Sequence, residues 1–214
     1  GYRPVVEIQF DGFTYPAFDQ LVSQLAKLHY RSRGRVKMPV TVRIPYGGGI
    51  GSPEHHSESP EAYFAHTAGL RVFAPSSVED AYSMLRQAIA CDDPVIFFEP
   101  KRRYHEKTTA ELVAPAPDAS PKAKIVRPGE DVTVVGYGPT TYTLVDAAKA
   151  AEDEGTSLEV IDLRTLDPLD IDTVAESVKR TGKLVVVHEA SRTSGIGAEI
   201  CAEITERCFD YLEH

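Results

Sequence analysis

Short β-rich runs alternate with amphipathic helical runs along this 214-residue chain, and no other feature of the sequence restricts its fold as strongly. Residues 95–98 (Val-Ile-Phe-Phe) are apolar at every position, which is typical of a strand in a parallel sheet covered on both faces. Further strands are predicted at residues 5–10, 40–44 and 70–73, with helices between them. This order of strand, helix and strand indicates an α/β fold built on a parallel sheet.

Two stretches carry the helical pattern of the first half of the chain. Between residues 16 and 30, five apolar side chains recur at helical spacing: Phe18, Leu21, Val22, Leu25 and Leu28. Further on, Ser76 and Glu79 have the spacing of a capping box, in which a serine side chain caps the first turn of a helix. We therefore predict one helix that starts at Pro16 and another that begins after Ser76.

The pattern lapses after residue 104 and resumes at residue 132. The intervening segment, residues 105–131, is typical of a linker because it carries four prolines among polar residues: Pro115, Pro117, Pro121 and Pro128. After it, strands are predicted at residues 132–136, 158–161 and 184–187, and helices at residues 140–154, 171–179 and 195–208. Thr140 or Thr141 is the predicted cap of the first of these helices. The sequence thus predicts two three-layer αβα domains with mainly parallel sheets, residues 1–104 and residues 132–214.

The composition argues against several classes of protein. A formal net charge of −9 is unfavourable for a nucleic-acid-binding surface, which needs clustered Lys and Arg. No apolar run approaches the ~18 residues of a membrane-spanning helix. Three scattered cysteines, Cys91, Cys201 and Cys208, are too few for a disulfide framework, so a reducing compartment is indicated. Cys201 and Cys208 share one predicted helix and are interpreted as structural.

Two glycine-rich turns follow predicted strands. The run at residues 47–51 (Gly-Gly-Gly-Ile-Gly) lacks the Lys-Ser/Thr of a P-loop and leads into Ser52-Pro53 rather than into a helix. A close backbone approach or a mobile loop is therefore favoured over a phosphate site. The second run, Gly136-Tyr137-Gly138, is explained by a turn alone.

A polar run beside the first glycine-rich turn contains two histidines, His55 and His56. Because imidazole titrates near neutral pH, either side chain could act as a general acid or base. Exposed loop histidines without a catalytic role are the alternative. A zinc site could also recruit His66 and Glu61, but no metal-binding spacing supports it.

Aromatic and basic residues mark the ends of two predicted strands. Phe13, Tyr15 and Phe18 follow the first strand, and core packing is favoured for them from local sequence. The carboxyl ends of parallel strands are, however, also where α/β sheets bind ligands. Residues 101–103 (Lys-Arg-Arg) follow the strand at residues 95–98, where a solvated edge is favoured over an anion site.

Several motifs, taken in chain order, resemble those of a known family. They are residues 7–20 (EIQFDGFTYPAFDQ), 43–47 (RIPYG), 56–62 (HSESPEA), 94–101 (PVIFFEPK), 160–170 (VIDLRTLDPLD) and 188–190 (HEA). Together they resemble the β subunit of the thiamine-diphosphate-dependent 2-oxoacid dehydrogenases. These are the decarboxylating components of the branched-chain and pyruvate complexes, and relatives of transketolase. The resemblance covers essentially the whole chain.

The resemblance implies a cofactor site in the first domain, which corresponds to the pyrimidine-binding domain of these subunits. Phe13 matches the aromatic residue that packs on the cofactor ring, where many relatives carry Tyr. His56 matches the active-site histidine assigned to reductive acylation of the lipoyl group, in which a proton is delivered to a departing sulfur. The implied cofactors are thiamine diphosphate with Mg²⁺, shared with an α subunit, and K⁺.

Six positions match the loops where this family holds a monovalent cation, mainly through backbone oxygens: Met38, Val40, Thr41, Ala88, Cys91 and Asp93. The implied partners are an α subunit, in an α2β2 heterotetramer, and the lipoyl-bearing acyltransferase component of a multienzyme complex. No nucleic-acid or membrane partner is expected.

The implied activity is oxidative decarboxylation of a 2-oxoacid with acyl transfer to lipoate. A branched-chain substrate is preferred because residues 60–64 (PEAYF) and 98–101 (FEPK) look closer to that branch. A pyruvate dehydrogenase β subunit and a non-catalytic α/β interface module are the alternatives. The bacterial cytoplasm is the preferred location, or the mitochondrial matrix in a eukaryote.

The resemblance also implies that both ends of the chain are cuts. The family's glutamate that contacts the cofactor pyrimidine is expected upstream of Gly1, and the usual tail is expected beyond residues 211–213. His214 is either native or the remnant of a tag. The chain by itself is therefore expected to be inactive.

Overall fold

The structure of the protein is a computed structural model that describes residues 1–109, 114–115 and 121–213. Pro117 of the predicted linker and the terminal His214 lie outside the described residues. Within the described part of the chain, no helix combines the length and the apolar character needed to cross a membrane.

The first sheet has five strands in the order β1-β2-β4-β3-β8. Four of them are parallel: β1 (Val5–Glu7), β2 (Thr41–Tyr46), β4 (Val95–Pro100) and β3 (Arg71–Phe73). β4 lies between β2 and β3, and its residues 95–98 are buried, as their unbroken apolar run predicts. The fifth strand, β8 (Thr165–Asp167), arrives from the second half of the chain and pairs antiparallel with β3.

The helices of the first half depart from the predicted ones in two places. The helix predicted over residues 16–30 is divided into α1 (Thr14–Asp19), a π-helical turn (Gln20–Leu25) and α2 (Leu28–Arg31). In the π-helical region, Ala26 N donates to Leu21 O, five residues earlier.

The capping residue of the next long helix was also predicted wrongly. α3 (Glu61–Ala65) precedes it, and α4 (Val78–Ala90) is capped by Ser77, whose hydroxyl accepts from Asp80 N. The hydroxyl of Ser76 instead donates to the Asp162 carboxyl group. Ser76 thus binds a carboxyl group distant in sequence, and it does not cap the helix as the capping-box spacing predicted.

The second sheet has four strands in the order β5-β7-β6-β9: β5 (Lys124–Arg127), β7 (Leu158–Asp162), β6 (Val132–Gly136) and β9 (Leu184–Val186). β7, β6 and β9 are parallel, and β5 is antiparallel to β7. The helices are α5 (Thr140–Asp153), α6 (Ile171–Thr181) and α7 (Ile196–Cys208). The mainly parallel α/β architecture predicted for both halves is confirmed.

Three details of the second half correct the prediction. β5 lies within the predicted linker, where the proline-rich composition concealed an edge strand. Thr140 and Thr141 lie inside the first turn of α5 rather than at its cap, and Thr140 Oγ1 donates to the Tyr137 carbonyl oxygen. On α7, Cys208 is buried as predicted for a structural cysteine, whereas Cys201 is exposed.

One apolar core connects the two sheets. It contains residues from the first half, such as Val42 and Phe98, together with Tyr137, Ile161 and Leu163 from the second. β8 reinforces this connection because a strand of the second half completes the first sheet. The domain boundaries at residues 104 and 132 remain a prediction, but the two halves share packing rather than standing apart.

Candidate functional site

Three short loops meet at the carboxyl ends of β1, β2 and β4, the edge where parallel sheets bind ligands. Each loop carries a 3-10 turn: Asp11–Phe13 after β1, Glu54–His56 after β2, and Lys101–Arg103 after β4. Gly12 lets the first two approach closely, since a Cβ atom there would lie 2.7 Å from the backbone oxygen of His55. The fold therefore brings Phe13 and His56, which are 43 positions apart in sequence, onto adjacent turns.

The His56 ring lies against an aromatic neighbour. Its centroid is 4.2 Å from that of Phe10, with an interplanar angle of 64°, which is an edge-to-face contact. His56 is partly exposed, so its imidazole is packed on one side and accessible on the other. His55 is more exposed, and its Nδ1 lies 3.5 Å from a carboxylate oxygen of Glu54.

A buried ion pair lies beneath these turns. Lys101 Nζ donates to Asp11 Oδ2 at 2.9 Å and to the carbonyl oxygen of His56 at 2.6 Å. The exposed fraction is 4% for the Lys101 side chain and 0% for the Asp11 side chain. The solvated edge favoured for residues 101–103 is thus wrong at Lys101, because the loops bury its ammonium group against a carboxylate.

The other two basic residues of that run are also engaged. Arg102 Nη1 lies 3.2 Å from Glu189 Oε1, in the second half of the chain. The Arg103 guanidinium stacks on the Tyr142 ring at 3.5 Å from its centroid. Neither contact favours an anion site.

Phe13 is 50% exposed at the end of its turn. Core packing, favoured from local sequence, is therefore wrong for this residue. Phe18 does pack, with its ring centroid 5.6 Å from that of buried Phe64, and Tyr15 is exposed with its hydroxyl donating to Glu58 Oε2 at 3.1 Å. Burial and the Glu58 carboxylate together raise the pKa of Tyr15 to about 12. Of the three aromatic residues, Phe13 has a half-exposed apolar ring, on the turn adjacent to that of His56.

A cavity of about 670 Å³ begins at Ser57, the residue after His56, and extends to the loop that follows β9. Its walls come from both halves of the chain: Tyr15, Tyr63 and residues 57–60 on one side, and residues 189–191 and 193–195 on the other. The Gly47 N–H donates to the Glu58 carbonyl oxygen at 2.9 Å and so fixes one wall. This role agrees with the close backbone approach predicted for the first glycine-rich turn.

A buried hydrogen bond near the cavity joins the two halves. Tyr137 donates from its hydroxyl to Glu61 Oε1 at 2.6 Å, and both residues are buried. Burial raises the pKa of the Glu61 carboxyl group, and burial together with Glu61 raises that of the Tyr137 hydroxyl. The turn Gly136-Tyr137-Gly138 therefore carries a tertiary contact as well, because a Cβ atom on Gly138 would lie 1.9 Å from the Tyr46 hydroxyl.

A second polar contact between the halves involves Asp162. Its carboxyl group is buried and accepts from the hydroxyl of Ser76 and from the backbone N–H of Arg164 at 3.1 Å. The Arg164 guanidinium pairs with Asp80 at 2.7 Å instead. Burial, reinforced by the Asp80 charge, raises the pKa of Asp162 to about 7.

The six predicted cation-site residues lie at the opposite, amino end of β2 and β4. The two loops are adjacent there, since Met38 N donates to the Asp92 carbonyl oxygen at 3.2 Å. Thr41 Oγ1 is buried with no hydrogen-bond partner, which suits a cation ligand. In contrast, the Cys91 carbonyl oxygen accepts from the Arg3 guanidinium at 2.8 Å, and Asp93 pairs with Arg71 at 3.0 Å. The donor set agrees only in part with a cation, and these positions remain a prediction.

Side chains that commonly bind metals do not cluster in the described residues: they contain no group of three or more His, Cys, Asp and Glu that could hold an ion. His66 lines the cavity, whereas Glu61 is committed to Tyr137.

Asp11 and Lys101 are the residues that sequence reasoning missed. The signal available was the position of two oppositely charged residues directly after two strands of the same parallel sheet. The spacing of 90 residues gave no indication that they meet, because only the order β1-β2-β4 brings those strand ends together.

The chain was compared with known proteins. Residues 1–107 match the pyrimidine-binding domain of transketolase, and residues 121–214 match the transketolase C-terminal domain. A split-gene transketolase, described as an inactive β4 tetramer, superposes with a TM-score of 0.76 over 98% of this chain and 64% of that one. At 24% identity, this likeness shows the shared fold.

Curated relatives are more similar in sequence. The 3-methyl-2-oxobutanoate dehydrogenase subunit beta of Mycobacterium tuberculosis is 56% identical over all of this chain and 61% of its own length. The pyruvate dehydrogenase E1 component subunit beta of Leifsonia xyli is 53% identical over 63% of its length. The mitochondrial 2-oxoisovalerate dehydrogenase subunit beta of Dictyostelium discoideum is 46% identical over 58% of its length.

The chain thus spans less than two thirds of the length of each of these relatives. The predicted resemblance to 2-oxoacid dehydrogenase β subunits is confirmed by their similarity over the whole chain. With both domain models matched in chain order, the chain belongs to the transketolase family.

Proposed function

We propose that the chain is the β-subunit portion of a branched-chain 2-oxoacid dehydrogenase. The reaction is oxidative decarboxylation of a 2-oxoacid with transfer of the acyl group to a lipoyl group. The observation that carries this proposal is the placement of a half-exposed Phe13 and of His56 on adjacent turns at the ligand-binding edge of the sheet. The two relatives above that are named for branched-chain substrates, at 56% and 46% identity, support it.

Phe13 is suited to hold one face of a planar heterocycle. Its ring is half-exposed although it lies among packed loops, and an apolar ring of this kind stacks on an aromatic ligand. The residues present therefore fit the pyrimidine ring of thiamine diphosphate, bound with Mg²⁺. When bound, that cofactor supplies the nucleophile and the electron sink for decarboxylation.

His56 is suited to deliver a proton. During acyl transfer, one lipoyl sulfur bonds to the acyl carbon, the S–S bond breaks, and the second sulfur takes a proton. The two electrons that reduce the disulfide come from the decarboxylated substrate. An imidazole held on one side by Phe10 and accessible on the other can donate that proton.

The implied partners follow from this role. An α subunit, in an α2β2 heterotetramer, would supply the remainder of the cofactor site, and a lipoyl-bearing acyltransferase would receive the acyl group. The cavity of about 670 Å³ lined by Ser57, the residue after His56, is large enough to accept part of a long, thin substrate arm. A bacterial cytoplasmic location is proposed, with the mitochondrial matrix for a eukaryotic source.

K⁺ at residues 38–41 and 88–93 is supported by the unpartnered Thr41 hydroxyl alone.

The test uses the full-length β chain assembled with its α subunit. We expect His56→Ala to slow acylation of a lipoyl domain by about 10²-fold or more, since a positioned general acid contributes that much. Release of CO₂ from 3-methyl-2-oxobutanoate with an artificial electron acceptor should change little. The matched control is His55→Ala, which removes the adjacent, more exposed histidine. Unchanged acylation in His56→Ala would refute the assigned role.

A second experiment tests the stacking residue. Phe13→Ala should weaken thiamine diphosphate binding to the assembled protein by about tenfold or more, because the ring face is lost. Phe13→Tyr keeps that face and should bind within about threefold of wild type. Isothermal titration gives both constants. Equal affinities for the Ala variant and wild type would refute the stacking role of Phe13, and no binding of thiamine diphosphate to the assembled wild-type protein would argue for a non-catalytic interface module.

A pyruvate dehydrogenase β subunit is the second candidate function. The observation that favours it is the 53% identity to the Leifsonia xyli protein, which is only slightly below the highest value among the relatives above. Comparison of kcat/KM for pyruvate and for 3-methyl-2-oxobutanoate in the assembled protein separates the two candidates.

A further inference from the structure

We propose that the buried Lys101–Asp11 ion pair is a positioning device that sets the place of the His56 imidazole. The inference deepens the proposed function, since it assigns the residues that hold its proton donor. It rests on three loop segments that meet at one ammonium group, and the position of the His56 ring can be measured without any turnover.

The ammonium group of Lys101 contacts both turns and the ring against which His56 packs. Its ammonium nitrogen donates to Asp11 Oδ2 at 2.9 Å and to the His56 carbonyl oxygen at 2.6 Å. It also lies 5.8 Å from the centroid of the Phe10 ring, within cation–π range. One charged group therefore binds the turn that carries Phe13, the turn that carries His56, and the aromatic ring against which His56 packs.

The ion pair is buried and incompletely hydrogen-bonded. Lys101 and Asp11 are almost fully buried, and Asp11 Oδ1 has no hydrogen-bond partner. A buried ion pair is weak evidence for stability, because apolar residues of similar volume often stabilise a protein as well or better. An incompletely satisfied pair directly beneath a partly exposed histidine is therefore better explained by placement of that histidine than by stability.

Packing at Gly12 also joins the two turns. The loops also approach through Gly12, where a Cβ atom would lie within 2.8 Å of three atoms of His55. This contact holds the backbone of the histidine turn at His55, whereas Lys101 fixes the peptide group of His56 itself. The two contacts can be separated experimentally, because only the second depends on charge.

The test is made on the 214-residue chain by NMR. The ring current of Phe10 should displace the Cε1–H resonance of His56, and the contact should give cross-relaxation peaks between the two rings. In the double variant Asp11→Asn/Lys101→Met, we expect the displacement to fall by at least about half and those peaks to weaken. Thermal unfolding and circular dichroism establish that the double variant is folded.

Two controls isolate the effect. Asp146→Asn/Lys149→Met removes an exposed pair of the same chemistry on α5, whose oxygen and nitrogen are 3.0 Å apart, and should leave the His56 resonance unchanged. Lys101→Arg keeps the charge and donors and should restore part of the displacement. If the double variant folds but retains the wild-type His56 shift and cross-peaks, packing at Gly12 alone positions the ring and the proposal is overturned.

A readout in the assembled enzyme then distinguishes this inference from the proposed function. Loss of the His56 displacement together with slow lipoyl acylation supports both. Loss of the displacement with unchanged acylation keeps the positioning role and refutes the catalytic role of His56.

Discussion

Two buried aspartates in this chain are accommodated in opposite ways. Asp11, beneath the candidate site, accepts from the ammonium group of Lys101. Asp162, between the two sheets, accepts from the Ser76 hydroxyl and the Arg164 backbone N–H, while the nearby guanidinium pairs with Asp80. Burial raises the pKa of Asp162 to about 7. Asp11 is thus accommodated by an ion pair with a buried cation, and Asp162 by a raised pKa that favours its neutral, protonated form.

The two aspartates therefore have different consequences for the regions in which they lie. An ammonium group that donates to acceptors on two loops holds those loops in one geometry, as a ligand site requires. A carboxyl group that takes up a proton near neutral pH links the contact between the halves to pH instead. Three substitutions test this comparison.

The largest effect is expected at Lys101. Lys101→Met leaves the Asp11 carboxylate buried without a cation, which typically costs about 3–5 kcal/mol of unfolding free energy. Urea titration followed by circular dichroism measures it. Lys149→Met, which breaks an exposed pair with Asp146, is the control and should change little. Addition of Asp11→Asn to Lys101→Met should recover most of the loss, and failure to recover would mean that Lys101 stabilises by packing alone.

The next largest effect is expected at Asp162, whose titration makes the free energy of unfolding depend on pH. Between pH 3.8 and about 7 the folded chain retains a proton on this group that the unfolded chain releases. The contribution of Asp162 to the free energy of unfolding is therefore fully present at the low end of this window and is lost as pH rises through it. Asp162→Asn removes the titration, so the variant should gain up to about 4 kcal/mol relative to wild type across the window, at ~1.4 kcal/mol per pH unit.

Urea titrations at pH 4, 5, 6 and 7 measure that difference. Asp146→Asn, on the exposed face of α5, is the matched control and should follow wild type at every pH. A difference between Asp162→Asn and wild type that does not change with pH would show that Asp162 stays charged and that the comparison with Asp11 fails.

The smallest effect is expected at the other contact between the halves. Tyr137→Phe removes the hydroxyl that donates to Glu61, and an unsatisfied buried acceptor costs about 1–3 kcal/mol. Because that hydrogen bond lowers the pKa of Glu61 against the raising effect of burial, its loss should raise the Glu61 pKa further. Tyr30→Phe, on an 86% exposed ring, is the control. Equal unfolding curves for both variants would show that the Tyr137–Glu61 hydrogen bond does not stabilise the folded chain.

Much of the fold could be predicted from periodicity. The unbroken apolar run at residues 95–98 predicted the central strand β4, and the helix predicted at residues 195–208 is α7, which buries Ile196, Ile200 and Ile204. β5 and β8 were missed because they are short edge strands stabilised by their neighbours rather than by their own composition. The helix cap was misassigned because Ser76 has a tertiary partner.

The candidate site was likewise predicted only in part from the sequence. Motif resemblance indicated Phe13 and His56, and the structure brings both to one edge of the sheet. Local sequence gave the wrong environment for Phe13 and for Lys101, since exposure depends on which loops meet and not on the residue type.

The sequence by itself determined the α/β class, the two-part organisation and the resemblance to 2-oxoacid dehydrogenase β subunits, because periodicity and motif order are local properties. Only the tertiary structure decided that Lys101 is buried against Asp11 and that β8 joins the first sheet. These contacts join residues about 90 positions apart, and strand order, which no local pattern encodes, determines which residues become neighbours.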